Sequence, residues 1–184
     1  MDVEISVSGM RVASDRLLLR PLGMEDLQDF YAWCSVPGVG EMVGWPHHQS
    51  REQSRQILES LTAGDNVLAL WHKADEKMIG TIGFHPSWAA DDERFRHLPS
   101  LQFGYALDRD YWGRSLMPEA VRAAMDWAAE NYPVRLFTCN HFTDNARSRR
   151  VIEKCGFTYD STVVFYAAGL GRNCETMRYI KRLA

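Results

Sequence analysis

The chain lacks most of the features that would declare its chemistry at once. Its four cysteines, Cys34, Cys139, Cys155 and Cys174, show no paired spacing. Free thiols in a reducing compartment are therefore expected, rather than a disulfide framework or a zinc site. No apolar run approaches membrane-spanning length, so no membrane partner is expected. The N-terminus has early acidic residues and no apolar signal core, which makes the cytoplasm the expected location. Six histidines and scattered acids carry no metal-ligand spacing, so no metal is expected. Neither a phosphate-binding lysine loop nor a Ser-His-Asp signature is present, and there is no repeat, linker or low-complexity tract. Net charge is −3, from 21 Lys and Arg against 24 Asp and Glu. That argues against nucleic acid or an anionic membrane as a direct partner.

What is present is an ordinary globular composition over 184 residues, 46% hydrophobic and 24% charged. One domain over 1–184 is expected, with 1–14 as a loose N-terminal arm. A chain of this length buries roughly 70% of the surface it would expose unfolded, so a real core is available. The pattern then gives a strand over 16–20 stopped by Pro21, and an amphipathic helix over 24–34 carrying Leu27, Phe30, Tyr31 and Cys34. A loop over 35–49 contains Trp45-Pro46-His47-His48. A capping-box pattern, Ser50-Arg51-Glu52-Gln53, opens a second helix that Gly64 stops. Strands over 67–71 and 78–84 read as a hairpin. The polar loop over 87–99 is too long for a simple turn and is expected to lie over a site or interface. Strands over 101–107, 134–139, 157–165 and 176–183 follow, with a helix over 118–131 and another, capped by Asp144 or Asn145 and running through Cys155, between them. The order is that of a mixed α/β sheet.

The stretch from Tyr111 to Ala120 organises the chain. It follows a strand and opens a helix, and the first turn of a helix offers N–H groups without partners at the positive end of the dipole. A phosphate fits there without a dedicated cation. Pro118 surrenders only an N–H that would be unpaired anyway, and Glu119 suits the same turn by charge.

Together with Arg16-Leu17-Leu18-Leu19-Arg20-Pro21, Ile79-Gly80-Thr81-Ile82-Gly83, Gly104-Tyr105 and the block Asp144-Asn145-Ala146-Arg147-Ser148-Arg149-Arg150-Val151-Ile152-Glu153-Lys154-Cys155-Gly156-Phe157, this turn resembles the GCN5-related N-acetyltransferase (GNAT) family. The resemblance spans residues 15–183 and is closest to the branch that acetylates N-terminal amines of ribosomal proteins. It implies a GNAT fold: a mixed central sheet with two splayed strands and about four flanking helices. It implies acetyl-CoA as co-substrate and an amine acceptor, a protein N-terminus or a small molecule, on a monomer or homodimer. Main chain at Phe103, Gly104, Tyr105, Ala106 and Leu107 would pair with the pantetheine arm and polarise the thioester. The turn Trp112, Gly113, Arg114, Ser115, Leu116 and Met117 would hold the pyrophosphate, with Asn145, Ser148 and Arg150 also against the cofactor. Relatives usually carry Gly where this chain has Ser115; retained binding is expected.

For the chemistry, Ser148 is the first candidate to protonate the departing thiolate, with Tyr159 and Tyr166 as substitutes. Relatives often carry a Glu base where this chain has Gln102, and Gln cannot accept a proton. An α-amine of pKa ~7.8 is about one-third neutral at pH ~7.5, whereas lysine at ~10.4 is neutral about one part in a thousand, a deficit of ~4 kcal/mol. General base catalysis typically contributes ~10²–10⁴-fold, so its loss is tolerable for an α-amine and severe for lysine. A low-pKa amine is therefore the expected acceptor. His141 is the base candidate; His48, Glu41 and the group Asp91, Asp92 and Glu93 are others. Trp45, His48 and Gln102 are expected around the acceptor. Arg109, Arg114, Arg149 and Arg150 are candidates for the phosphates. A catalytically degenerate acyl-CoA-binding module and a drug or polyamine acetyltransferase are the competing readings.

Overall fold

A computed structural model describes residues 1–183. It contains one eight-stranded sheet. The strands are β1 (Val12–Ala13), β2 (Leu17–Pro21), β3 (Val67–His72), β4 (Lys77–His85), β5 (Ser100–Leu107), β6 (Leu136–Phe142), β7 (Thr158–Ala167) and β8 (Arg172–Arg182), in the spatial order β1-β2-β3-β4-β5-β6-β8-β7. Every neighbouring pair is antiparallel except β5 and β6, which run parallel. A parallel pair needs a crossover, and helix α3 (Leu116–Asn131) supplies it. This is the mixed sheet with four helices that the pattern implies.

Each helix has a local reason to start and stop. α1 (Leu27–Cys34) follows a 3-10 turn over Met24–Asp26, which splits the helix expected over 24–34. α2 (Arg51–Ala63) is capped as expected: the Ser50 hydroxyl accepts the Gln53 N–H at 3.1 Å. The return bond differs from a standard box, because Gln53 accepts the N–H of Gln49 rather than Ser50. α3 begins two residues before Pro118. It ends at Tyr132, which is extended (φ −133°, ψ 153°), as the residue before Pro133 prefers. α4 (Ala146–Lys154) is capped by Asn145, whose Oδ1 accepts the Ser148 N–H at 3.1 Å.

The two faces of the sheet have separate cores. α3 lays Ala120, Ala124 and Ala128, all fully buried at helical spacing, against the face that carries Leu17, Leu19, Leu68, Phe84 and Phe103. Small residues there let the helix approach the sheet. α1 and α2 cover the other face through Phe30, Trp33 and Leu58 against Ala69, Met78 and Ala106. All four cysteines are buried free thiols.

Two expectations are corrected. Residues 1–14 are tied down rather than loose. Val7 and Met10 are buried in the α3-side core, Val3 N donates to Ser100 O and Ser100 N to Met1 O, and Val12–Ala13 adds an edge strand. The apolar residues at 3, 5, 7 and 10 were the available signal. The 87–99 loop, expected over a site or interface, lines neither large cavity: Ala89 and Phe95 pack on Leu136, and the Met1 amine donates to Arg96 O at 2.9 Å. Met10→Ala should lower unfolding stability by about 2–5 kcal/mol, as for other buried methionines. Urea denaturation measures this, and a shift under about 0.5 kcal/mol, typical of a surface site, would show that the segment is not part of the core.

Candidate active site

β5 and β6 pair only over their first four residues, from Ser100 with Leu136 to Phe103 with Cys139. Beyond that pair the strands part, although β5 runs to Leu107 and β6 to Phe142. β5 stays bonded to β4 and β6 to β8 on their outer edges. Pro99 O accepts from the start of β6, whereas Asp108 N donates to Ile79 O on β4. By strand alternation the main chain of residues 103, 105 and 107 therefore points into the gap, and that of 104 and 106 points to β4. The Leu107 carbonyl is taken by the Trp112 indole at 2.9 Å. Tyr105 keeps an N–H and a C=O with no strand partner.

The gap opens at one end on the turn before α3. Gly113 (φ +79°) and Ser115 (φ +58°) both adopt left-handed conformations. No side chain caps α3, so the N–H groups of Leu116 and Met117 lack intrahelical partners. The carbonyl side of the turn is occupied: Arg16 donates to Arg114 O at 2.9 Å and to Ser115 O at 3.4 Å, and its Nε donates to Glu119 at 2.8 Å. Carbonyls held to the back leave the N–H groups free on the front. A groove of about 230 Å³ runs there, and Arg147, Arg150 and Lys154 of α4 line its far wall. Lys154 Nζ donates to Ser115 Oγ at 3.0 Å, which turns that hydroxyl sideways against α4. The Arg147 guanidinium lies 4.1 Å above the Trp112 ring.

At the middle of the gap Ser148 Oγ is 2.9 Å from the Tyr105 hydroxyl. Burial pushes the Tyr105 phenol well above its ordinary value, so it stays protonated and can donate. Burial likewise pushes the neighbouring Cys139 thiol up to about 12, which keeps it inert as a nucleophile. Asn145 bridges two elements: it caps α4, and its Nδ2 donates to Met42 O at 3.1 Å in the loop before α2.

On the α1/α2 face the gap opens into a second, larger cavity of about 540 Å³. Trp33, Trp45, Ile57, Phe142 and Phe165 give it an apolar wall, and no Asp, Glu, Lys or Arg lines it. Trp45 and His48 both contribute, with ring centroids 5.1 Å apart. The His48 Nδ1 lies 2.6 Å from Ser54 Oγ. Gln102 lies on the sheet floor beside His85, its register partner on β4.

The sequence between residues 16 and 158 matches the family model for the acetyltransferase (GNAT) domain. The chain belongs to the GNAT family of acetyltransferases. It is 24% identical over 164 residues to the N-acetyltransferase p20 of Bacillus licheniformis, which covers 86% of this chain and 88% of that one. In fold it is similar to the microcin C7 self-immunity acetyltransferase MccE, solved with acetyl-CoA and AMP (TM-score 0.77, 16% identity, 92% and 94% of the two chains). It is also similar to the Salmonella typhimurium acetyltransferase that modifies the N-terminal serine of ribosomal protein L7/L12 (TM-score 0.75, 16% identity, 95% and 100%).

For a GNAT enzyme the residues divide as follows. Trp112, Gly113, Ser115, Leu116, Met117, Asn145, Ser148 and Arg150 share the groove with Tyr105, Ala106 and Leu107. Phe103 and Gly104 border the larger cavity instead. Arg114 does not line the groove; its side chain lies over the Tyr111 ring at 4.9 Å. Arg109 does not line it either, and Arg149 is paired with Glu153 at 2.8 Å. Arg147 and Lys154, part of a basic cluster in the sequence but not among the phosphate candidates, line the groove, and the spacing 147, 150, 154 puts them with Arg150 on one helix face. Tyr159 and Tyr166 are exposed on β7 and line neither cavity. His141 lines the larger cavity, but Nδ1 meets Phe142 O at 2.7 Å and Nε2 meets the Tyr179 hydroxyl at 3.2 Å, so both nitrogens are engaged. Glu41 is held at the loop: burial opposes its ionisation, but bonds from the His47 ring and from the His47 and Gly38 N–H groups prevail and bring it down to about 2. Asp91, Asp92 and Glu93 lie on the loop that packs away from the cavity. No helix among the described residues is long and apolar enough to cross a membrane.

Ser115 in a left-handed conformation costs about 1–2 kcal/mol relative to ordinary backbone. Ser115→Gly should therefore leave stability within about 1 kcal/mol of the parent despite loss of the Lys154 contact. Ser115→Val should lower it clearly, because a β-branched residue resists this conformation. Thermal unfolding of both variants checks this; equal midpoints for Gly and Val would mean that the turn relaxes out of the left-handed region.

Proposed function

We propose that the chain transfers acetyl from acetyl-CoA to a primary amine of low pKa, by direct attack in a ternary complex. The acceptor is an α-amine of a peptide or protein, or a small amine with an uncharged apolar body. The observation that carries this reading is the meeting of two unlike spaces at one break in the sheet. One is a groove with free N–H groups and three cations; the other is an apolar cavity without a carboxylate.

The pyrophosphate of acetyl-CoA is taken by the N–H groups from Gly113 to Met117, with Arg147, Arg150 and Lys154 around the phosphates. The pantetheine arm lies in the gap and pairs with the main chain of Tyr105. The Tyr105 N–H faces the thioester carbonyl and stabilises the oxyanion that forms there. The Ser148–Tyr105 hydroxyl pair returns a proton to the thiolate.

The acceptor side argues for charge type. A polyamine or a lysine side chain enters mostly as an ammonium, and a cavity without a counter-charge makes it give up its hydration uncompensated. An α-amine near pKa ~7.8 sheds its proton at little cost. The similarity in fold to an enzyme acting on an N-terminal serine is in keeping with this.

Calorimetry with acetyl-CoA is expected to give binding in the micromolar range. Arg147→Ala and Lys154→Ala should each weaken it about tenfold, about 1.4 kcal/mol. With acetyl-CoA bound, a tripeptide with a free N-terminus should be acetylated at least about 100-fold faster than spermidine or Nα-blocked lysine at pH ~7.5. No heat at millimolar acetyl-CoA, or acetylation of blocked lysine with none of the tripeptide, would reverse this reading.

A further inference from the structure

The acceptor cavity holds one imidazole that neither the fold nor the groove accounts for. His85 is the last residue of β4 and the register partner of Gln102. Its ring folds back over the sheet. An ideal Cβ at Gly83 would lie 2.6 Å from His85 Nε2, and one at Gly104 would lie 2.9 Å from it. Gly83 and Gly104 face each other across the strand pair. Two facing glycines thus make the bed in which this ring lies, and a side chain at either would displace it. Gly104 is also the first residue of β5 beyond the last β5–β6 pair. Nε2 therefore stands where the strands begin to part, on the acceptor side of the gap and one residue from the free N–H of Tyr105. Among the described residues no hydrogen bond engages the His85 ring, in contrast to both nitrogens of His141 and Nδ1 of His48.

We propose that His85 is the proton acceptor for the attacking amine, the task that Gln102 beside it cannot perform. The assignment rests on the acetyltransferase reading above. As the amine nitrogen bonds to the thioester carbon, its proton passes to His85 Nε2. The carbon–sulfur bond breaks, and the thiolate takes a proton from the Ser148–Tyr105 pair. His85 releases its proton to solvent and the hydroxyl pair regains one. Amine and thioester are thereby converted to amide and thiol, with no other reactant.

His85 is an exposed residue at the end of β4, yet the protein packed around its ring disfavours the charged form and holds the imidazole below its ordinary value, so it is neutral near pH ~7 with its lone pair available. The titratable groups sharing the cavity are His48 from the loop before α2, Tyr105 of β5, and Cys139 and His141 of β6. None is a carboxylate or an ammonium. Neutral His85 is the active form. Activity should therefore fall as pH drops through its depressed pKa and stay level above it, apart from titration of the amine itself.

The test uses the full chain with acetyl-CoA and two acceptors, a tripeptide with a free N-terminus and the low-pKa amine phenylalaninamide. His85→Ala and His85→Gln should each lower kcat by about 10²-fold or more near pH ~7. The KM for acetyl-CoA and the thermal midpoint should hold. The acid limb belonging to His85 should vanish, leaving only the rise due to titration of the amine, and added imidazole should restore part of the turnover of His85→Ala. A structural role would instead be rescued by Gln and would leave the acid limb in place. Activity of His85→Ala within about threefold of the parent, or a loss with an unchanged pH profile, would overturn the assignment while leaving the acetyltransferase reading intact. Binding of acetyl-CoA with no turnover of either amine by the parent chain would overturn both.

Discussion

Everything at the site depends on β5 and β6 ceasing to pair after Phe103 and Cys139. An open edge inside a sheet leaves main-chain donors and acceptors that cost free energy if they stay dry and unpartnered. The fold holds that edge open instead of closing it. β5 is pinned to β4 as far as Leu107, whose carbonyl is also taken by Trp112. β6 is pinned to β8 as far as Phe142. α4 then starts opposite the gap, with Ser148 bonded to Tyr105 across it. The strands are each held from outside, so the gap persists and can accept an extended chain as a substitute strand.

Charge is arranged in the same spirit. The chain is net negative, yet the groove is lined by three cations that no carboxylate neutralises. Arg20, Arg55, Arg94 and Arg149 are spent on ion pairs with Asp26, Glu52, Asp92 and Glu153. Arg16 is spent on the back of the phosphate turn. Arg147, Arg150 and Lys154 have no carboxylate partner among the described residues and all face the groove. The larger cavity is the opposite case, a space lined by no Asp, Glu, Lys or Arg among the described residues.

Most of the fold was legible because its signals are local. Ser50 and Asn145 announce helix starts through single side chains, and the alanines at 120, 124 and 128 mark the face that meets the sheet. The phosphate turn was legible for the same reason, since strand, turn and helix start are contiguous. What could not be read was whatever needs two distant segments. The clamp of Arg16 on Arg114 and Ser115 spans about a hundred positions. The 87–99 loop was misjudged because its anchors, Met1 and Leu136, are remote in sequence. His141 looked suitable by its position after a strand, and only the bonds to Phe142 and Tyr179 disqualify it. His85 was overlooked because its meaning comes from Gly104 on the neighbouring strand.

That last case bears on how a base can move within a sheet without the geometry of attack changing. Gln102 and His85 are register partners, so their side chains rise from the same face about one strand spacing apart. A carboxylate at position 102 would approach the split from β5; an imidazole at position 85 reaches the same point from β4. It must lean inward to do so, and it can only because Gly83 and Gly104 have no side chains to stop it. The two glycines and the neutral Gln102 are therefore parts of one arrangement: the floor is cleared, the competing charge is removed, and the ring fills the space. A carboxylate restored at 102 would sit beside the ring, hold it protonated and undo the arrangement, so the residue at 102 and the residue at 85 constrain each other through charge as much as through space.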